Sequence, residues 1–75
     1  MNDSIVYEKE RAEMDYLLSK GYVITKVNEH LNGAIVEFED PQGELPKEVL
    51  NITNADARKY FSCIIRRQKS VKNQT

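Results

Sequence analysis

The chain has 75 residues, a net charge of −1, one cysteine and one histidine, which predicts a single small domain with a thin core. These counts exclude an intramolecular disulfide and a zinc site of the usual Cys/His type within one chain, so self-association is the remaining means of reinforcing the core. Charge is unevenly distributed: residues 1–50 contain eleven acidic and five basic residues, whereas residues 51–75 contain one acidic and six basic residues.

The first predicted element is a helix from Asp3 to Lys20, which is rich in helix-forming residues and ends at Gly21, a typical left-handed cap. Helical spacing gives it a core-facing stripe made of Val6, Tyr7, Met14, Leu17 and Leu18. A second, weaker apolar strip on nearly the opposite side consists of Ile5, Ala12 and Tyr16. We interpret this strip as a possible contact surface.

Two β-branched segments follow, Tyr22–Leu31 and Ala34–Asp40, joined by Asn32-Gly33. Asn-Gly between such segments predicts a hairpin with a two-residue type I′ turn, which sets the register. The predicted pairs are Leu31 with Ala34, Glu29 with Val36, Val27 with Phe38, and Lys26 with Glu39.

This register predicts one apolar and one polar face for the hairpin, because side chains alternate along a strand. The predicted inner face contains Val23, Val27, Leu31, Ala34, Val36 and Phe38. Tyr22, Ile24 and Ile35 are expected on the outer face, exposed to solvent.

A second turn, Asp40-Pro41-Gln42-Gly43, is followed by a third predicted strand, Leu45–Ile52. Pro46 lacks the donor that a central strand needs, so this strand is expected at an edge of the sheet. Leu50 and Ile52 are its predicted core residues, and Lys47 is expected opposite Glu37.

The last element is a helix that begins near Thr53 or Asn54, either of which is a suitable N-cap. Its apolar stripe is predicted to contain Ala57, Tyr60, Phe61, Ile64, Ile65 and Val71. The fold class is therefore α+β with the order α-β-β-β-α: an antiparallel three-stranded meander with two helices packed on one face. Residues 1–69 are expected to form the domain, and residues 70–75 a disordered tail.

No catalytic constellation is evident from the sequence, so we expect a protein that is not an enzyme and has no cofactor or metal. Cys63 and His30 are the one conceivable pair of nucleophile and base, but they fall on the polar side of the last helix and at the hairpin end. The three glycines are explained by a helix cap and two turns, which leaves no phosphate-binding loop.

Two charged surfaces suggest alternative functions. A basic face on the last helix, made of Lys59, Arg66, Arg67 and Lys69, could contact nucleic-acid phosphates. An acidic patch, made of Glu37, Glu39, Asp40 and Glu44, could mimic a row of phosphates.

The preferred hypothesis is a non-enzymatic regulator that binds another protein and forms a homodimer. Its predicted contact residues are Ile5, Ala12, Tyr16, Tyr22, Ile24 and Ile35, since tyrosine and isoleucine make good anchors. In general form the chain resembles the small accessory or inhibitor proteins that bacteriophages and mobile elements carry, a likeness that rests on no motif, and inhibition of a host protein is the role we expect. The start of the chain lacks the layout of a signal peptide and no apolar run could span a bilayer, so we expect a cytoplasmic protein with no membrane partner.

Overall fold

The computed structural model describes residues 3–72. Helix α1 (Asp3–Ser19) precedes three strands, β1 (Val23–His30), β2 (Gly33–Glu39) and β3 (Glu48–Ile52), and helix α2 (Ala55–Lys72) follows them. The strands form one antiparallel sheet in the order β1-β2-β3. This arrangement confirms the predicted α+β class and the order α-β-β-β-α.

Helix α1 ends at Ser19, next to the cap predicted at Gly21. Gly21 has a φ of +93°, and its N–H donates to Leu18 O at 3.0 Å while Tyr22 N–H donates to Leu17 O at 3.1 Å. These bonds satisfy the last carbonyls of the helix. Met14 and Leu17 are buried beneath it, whereas Ile5 and Tyr16 stay 64% and 59% exposed.

The predicted register of the β1–β2 hairpin is wrong by two residues. Leu31 and Asn32 form the loop, and His30 pairs with Gly33, so Val27 lies opposite Val36 rather than Phe38. A type I′ turn needs a positive φ at both central positions, and no described residue other than glycine has one. Leu31, expected in the core, is consequently 98% exposed.

The register of the β1–β2 pair shifts by one residue at Thr25, which forms a β-bulge. Between the turn and the bulge the hairpin register places Lys26 opposite Glu37 instead of Glu39, and beyond the bulge Ile24 lies opposite Phe38. The bulge reverses the alternation of side chains along β1. As a result Ile24 is 7% exposed and Tyr22 is 4% exposed, so the outer-face positions predicted for both residues are wrong.

Strand β3 begins at Glu48, three residues later than predicted, and lies at an edge of the sheet as expected. Pro46, which lacks a donor, precedes it, and its carbonyl accepts a hydrogen bond from the buried Tyr22 hydroxyl. Ile52 is fully buried, and Leu50 packs partly buried against the core.

Helix α2 is capped by Asn54, whose Oδ1 accepts the N–H groups of Asp56 at 2.8 Å and Ala57 at 3.0 Å. Thr53 instead binds the carboxylate of Glu10 on α1. The predicted stripe is confirmed by the buried residues Ala57, Phe61 and Ile64 and by the partly buried Tyr60 and Ile65. Val71 lies outside the described side chains.

The predicted tail, 70–75, overlaps the end of α2, which continues to Lys72. Residues 73–75 lie outside the described part of the chain. Within the described range, neither helix is long and apolar enough to cross a membrane.

Candidate functional site

The six predicted contact residues do not form one surface. Ile5, Ala12 and Tyr16 lie on the exposed side of α1. Ile35 is exposed on the outer face of the sheet, away from the buried face of β2. Because Tyr22 and Ile24 are in the core, nothing joins these two exposed areas as the sequence hypothesis required.

A concave surface instead lies between strand β1 and the C-terminal half of α2. This β1–α2 groove has a volume of about 800 Å³, which is within the range of ligand-binding clefts. Its lining residues are Val23, Ile24, Thr25, Lys26, Val27, Ile65, Arg67, Gln68 and Lys69.

The walls of the groove are mostly apolar. Val23, Val27 and Ile65 are half-buried, and Val27 and Ile65 also pack against the hydrophobic core. This wall was not predicted, because Val23 and Val27 were expected to be covered beneath the helices, whereas both are only half-buried and line the groove. Ile65 lies 38 residues after Val27 in the sequence. The valines and Ile65 line one groove only because α2 folds back along β1.

Three cations line the same groove and are exposed: Lys26 from β1, and Arg67 and Lys69 from α2. The ion pairs among the described side chains join Arg11 to Asp15, Lys47 to Glu37 and Arg58 to Glu29, so none involves these three cations. Nor is there an acidic residue among the described residues that line the groove. The groove therefore combines apolar walls with a positive rim.

Gln68 joins the two sides of the groove. Its Oε1 accepts the N–H of Ile24 at 2.9 Å, and its Nε2 donates to the carbonyl oxygen of Ile24 at 3.1 Å. The side-chain carboxamide thus satisfies both peptide groups of Ile24 at the outer edge of β1. No sequence pattern signalled this contact, since the two residues are far apart in the chain.

The basic residues of α2 are divided between two surfaces. Arg67 and Lys69 line the groove, whereas Lys59 and Arg66 line a second concavity of about 490 Å³ on another side of the helix. Arg58, which also lines the second concavity, is paired with Glu29 at 3.2 Å. The four predicted phosphate contacts therefore do not share one face.

Cys63 and His30 are not brought into a common site. Cys63 is exposed and lines the second concavity, where its Sγ lies 3.9 Å from the Arg66 guanidinium. His30 ends β1 and is not among the residues that line that concavity. The described residues also contain no cluster of His, Cys, Asp and Glu that could hold a metal ion.

Most carboxylates of the acidic patch have partners within the domain. Glu37 is paired with Lys47 at 2.9 Å, and this hydrogen bond is the main reason that the pKa of Glu37 is lowered. Glu39 accepts a hydrogen bond from Thr25 Oγ1 at 3.1 Å.

Asp40 organises the turn before β3. Its carboxylate accepts the backbone N–H groups of Gln42, Glu44 and Leu45, each at 3.0 Å. The bond from Gln42 contributes most to lowering the pKa of Asp40. The side chain of Glu44 remains exposed, so the patch offers few carboxylates as phosphate mimics.

A cluster between the helices has a structural role. The Tyr60 hydroxyl donates to Asp15, and this bond, followed by burial, raises the pKa of Tyr60. Arg11 lies 4.8 Å above the Tyr60 ring and 3.6 Å from Asp15. These contacts tie α1 to α2.

Comparison of the chain with protein-family models, with curated proteins and with solved structures finds no match. The class of this protein is therefore defined by its own architecture, a small α+β domain with a grooved sheet edge.

Proposed function

We propose that this protein is a non-enzymatic regulator that binds another protein, and that the β1–α2 groove takes a segment of that partner. The observation that carries the proposal is the groove itself, an apolar cleft bordered by an edge strand. Apolar concave surfaces with a polar border are typical of recognition sites. Inhibition of a host protein in the cytoplasm, as small phage and mobile-element proteins achieve it, is part of this proposal.

The exposed strip on α1, made of Ile5, Ala12 and Tyr16, is the second candidate surface for a protein contact. No described residue of this strip lines a concavity, and Lys20 lies 5.1 Å above the Tyr16 ring at one end of it. We therefore assign this strip to self-association within the proposal and the groove to the partner.

Capture of a partner from host lysate tests the proposal when wild-type protein is compared with Val27→Arg, which places a cation in the groove wall. Ile35→Arg on the outer sheet face and Tyr16→Ala on α1 are matched controls, and circular dichroism verifies that each variant is folded. We expect Val27→Arg to lose the captured protein, with both controls retaining it. We also expect the purified partner to form a complex with the wild-type protein in gel filtration.

Capture that survives Val27→Arg, or the absence of any specific partner, contradicts the proposal. Nucleic-acid binding is the competing function. It would replace the proposal if DNA binds with an affinity that falls steeply as salt rises and if Lys59→Gln with Arg66→Gln removes that binding. Tyr16→Ala that converts a dimer to a monomer in gel filtration would support the assigned role of α1.

A further inference from the structure

We infer that the segment bound in the β1–α2 groove is an extended, acidic stretch of the partner, which pairs with the outer edge of β1 through main-chain hydrogen bonds. This inference rests on the proposed function and adds the chemistry of the partner to it. Three observations support it: the edge strand, the contact made by Gln68, and the unbalanced charge of the rim.

Strand β1 is paired with β2 on one side, and the sheet has no strand on its other side within the described residues. An edge strand presents unpaired N–H and C=O groups, to which an extended peptide can add as a further strand. The apolar walls beside this edge would receive alternate side chains of such a peptide, because side chains on one face of a strand recur every second residue.

The contact between Gln68 and Ile24 shows the chemistry of this edge. A carboxamide has the same donor and acceptor as a peptide group, and that of Gln68 binds both the N–H and the C=O of Ile24. The outer edge of β1 thus already binds one amide within the groove. A segment laid along the part of β1 that lines the groove, Val23–Val27, would continue this pattern with its own peptide groups.

The cations on the rim of the groove favour an acidic partner segment. Lys26, Arg67 and Lys69 stand around the apolar walls, and no carboxylate of the described residues lines the groove. Lys26 lies opposite Glu37 in the sheet and is attracted to it, whereas Arg67 and Lys69 take part in no ion pair among the described side chains. Glutamate or aspartate side chains in the segment would balance these cations, and complementary charge selects partners and speeds association. A basic segment would be repelled.

Fluorescence anisotropy with two synthetic peptides tests the inference. The first alternates valine with glutamate over about five residues, which span roughly 17 Å when extended and so match the part of β1 that lines the groove, Val23–Val27. The second replaces each glutamate with lysine. We expect the Val–Glu peptide to bind about tenfold or more tightly than the Val–Lys peptide, with the difference shrinking as salt is raised from about 50 to 500 mM.

Charge variants locate the binding. Arg67→Gln with Lys69→Gln should weaken the Val–Glu peptide about fivefold, while the matched pair Lys59→Gln with Arg66→Gln, of equal charge change on the same helix, should alter it less than about twofold. Methylation of alternate peptide nitrogens removes main-chain donors and should abolish binding. Amide chemical shifts of β1, Val23–His30, should change when the unmodified peptide is added.

The inference is overturned by equal binding of the two peptides, by no binding at about 1 mM peptide, or by full binding of the methylated peptide. An oligonucleotide that displaces the Val–Glu peptide more effectively than unlabelled peptide would also overturn it. If Val27→Arg abolishes partner capture while the two peptides bind equally, the proposed function stands and only the acidic chemistry fails. If Val27→Arg leaves capture unchanged, the proposed function itself fails.

Discussion

At Gly33 the backbones of β2 and β3 approach so closely that no side chain fits between them. A Cβ atom on Gly33 would lie 2.4 Å from the carbonyl oxygen of Ile52, and its φ of +148° is one that L residues rarely adopt. Gly33 is the first residue of β2 and lies outside the two-residue turn. Glycine is needed at this position because the two backbones approach closely.

Gly33→Ala should lower the free energy of unfolding by about 2 to 5 kcal/mol, because backbone strain and overpacking act together. Gly21→Ala is the matched control: its φ is +93°, but no atom lies within 4 Å of the added Cβ, so about 1 to 2 kcal/mol of strain is expected. Urea unfolding measures both values. Equal losses at the two positions would show that the contact with Ile52 is unimportant.

Asp40 links the stability of its turn to pH. Backbone N–H groups, foremost that of Gln42, lower the pKa of Asp40 in the folded protein. The charged carboxylate is therefore favoured by folding, and its stabilisation is present above the unfolded-state pKa of about 4. It is lost as pH falls through the lowered folded-state pKa.

Asp40→Ala should consequently reduce the urea midpoint at pH 7, and the difference from wild type should narrow at about pH 3. Gln42 lies in the same turn and has no titrating side chain. Gln42→Ala should therefore change the urea midpoint by an amount that does not depend on pH. If the urea midpoints of Asp40→Ala and wild type differ as much at low pH as at neutral pH, the stated role of the carboxylate is contradicted.

At the scale of elements, the carboxylate of Glu10 joins α1 to the N-terminus of α2. It is buried, and its oxygens accept Thr53 N–H at 3.0 Å, Thr53 Oγ1–H at 2.8 Å and Asn54 N–H at 3.0 Å. A negative group at this end of α2 is also favoured by the helix dipole. Helical spacing does place Glu10 between Val6 and Met14 on the core-facing stripe, and this position was the available signal for its burial.

Glu10→Ala should lower the free energy of unfolding by about 1.5 to 3 kcal/mol, because it leaves the partly buried N–H groups of Thr53 and Asn54 without their charged acceptor. Glu13→Ala, an exposed glutamate on the same helix, should change it by less than about 0.5 kcal/mol. Chemical denaturation compares the two variants. Similar small effects would mean that α2 is capped adequately by Asn54 alone.

At the scale of the whole molecule, folding puts the basic end of the chain against the first strand. Gln68 contacts Ile24, and Arg67 and Lys69 then stand beside Lys26 around the groove. The acidic carboxylates of the turn and of β2 are mostly engaged with Lys47, Thr25 and backbone amides. The charge asymmetry seen along the sequence thus becomes a positive rim at one cleft.

The sequence by itself determined the elements, since these depend on local chemistry. Helix propensity and the Gly21 cap define α1, β-branched residues define the strands, Pro46 indicates an edge strand, and Asn54 begins α2. Of the candidate site, the sequence indicated the cations Arg67 and Lys69 and the exposed strip on α1. It also indicated, correctly, that Ile35 is exposed.

Tertiary structure alone decided the hairpin register, the bulge at Thr25 and the groove. The residues involved are far apart in the chain: Gly33 contacts Ile52 beside the hairpin, and Ile24 bonds to Gln68 in the groove. Asn-Gly favours a type I′ turn locally, but Gly33 lies inside β2, where it approaches the backbone of Ile52 too closely for a side chain to fit. Local patterns therefore specify which elements form, whereas the surfaces that could bind a partner arise only from how those elements pack.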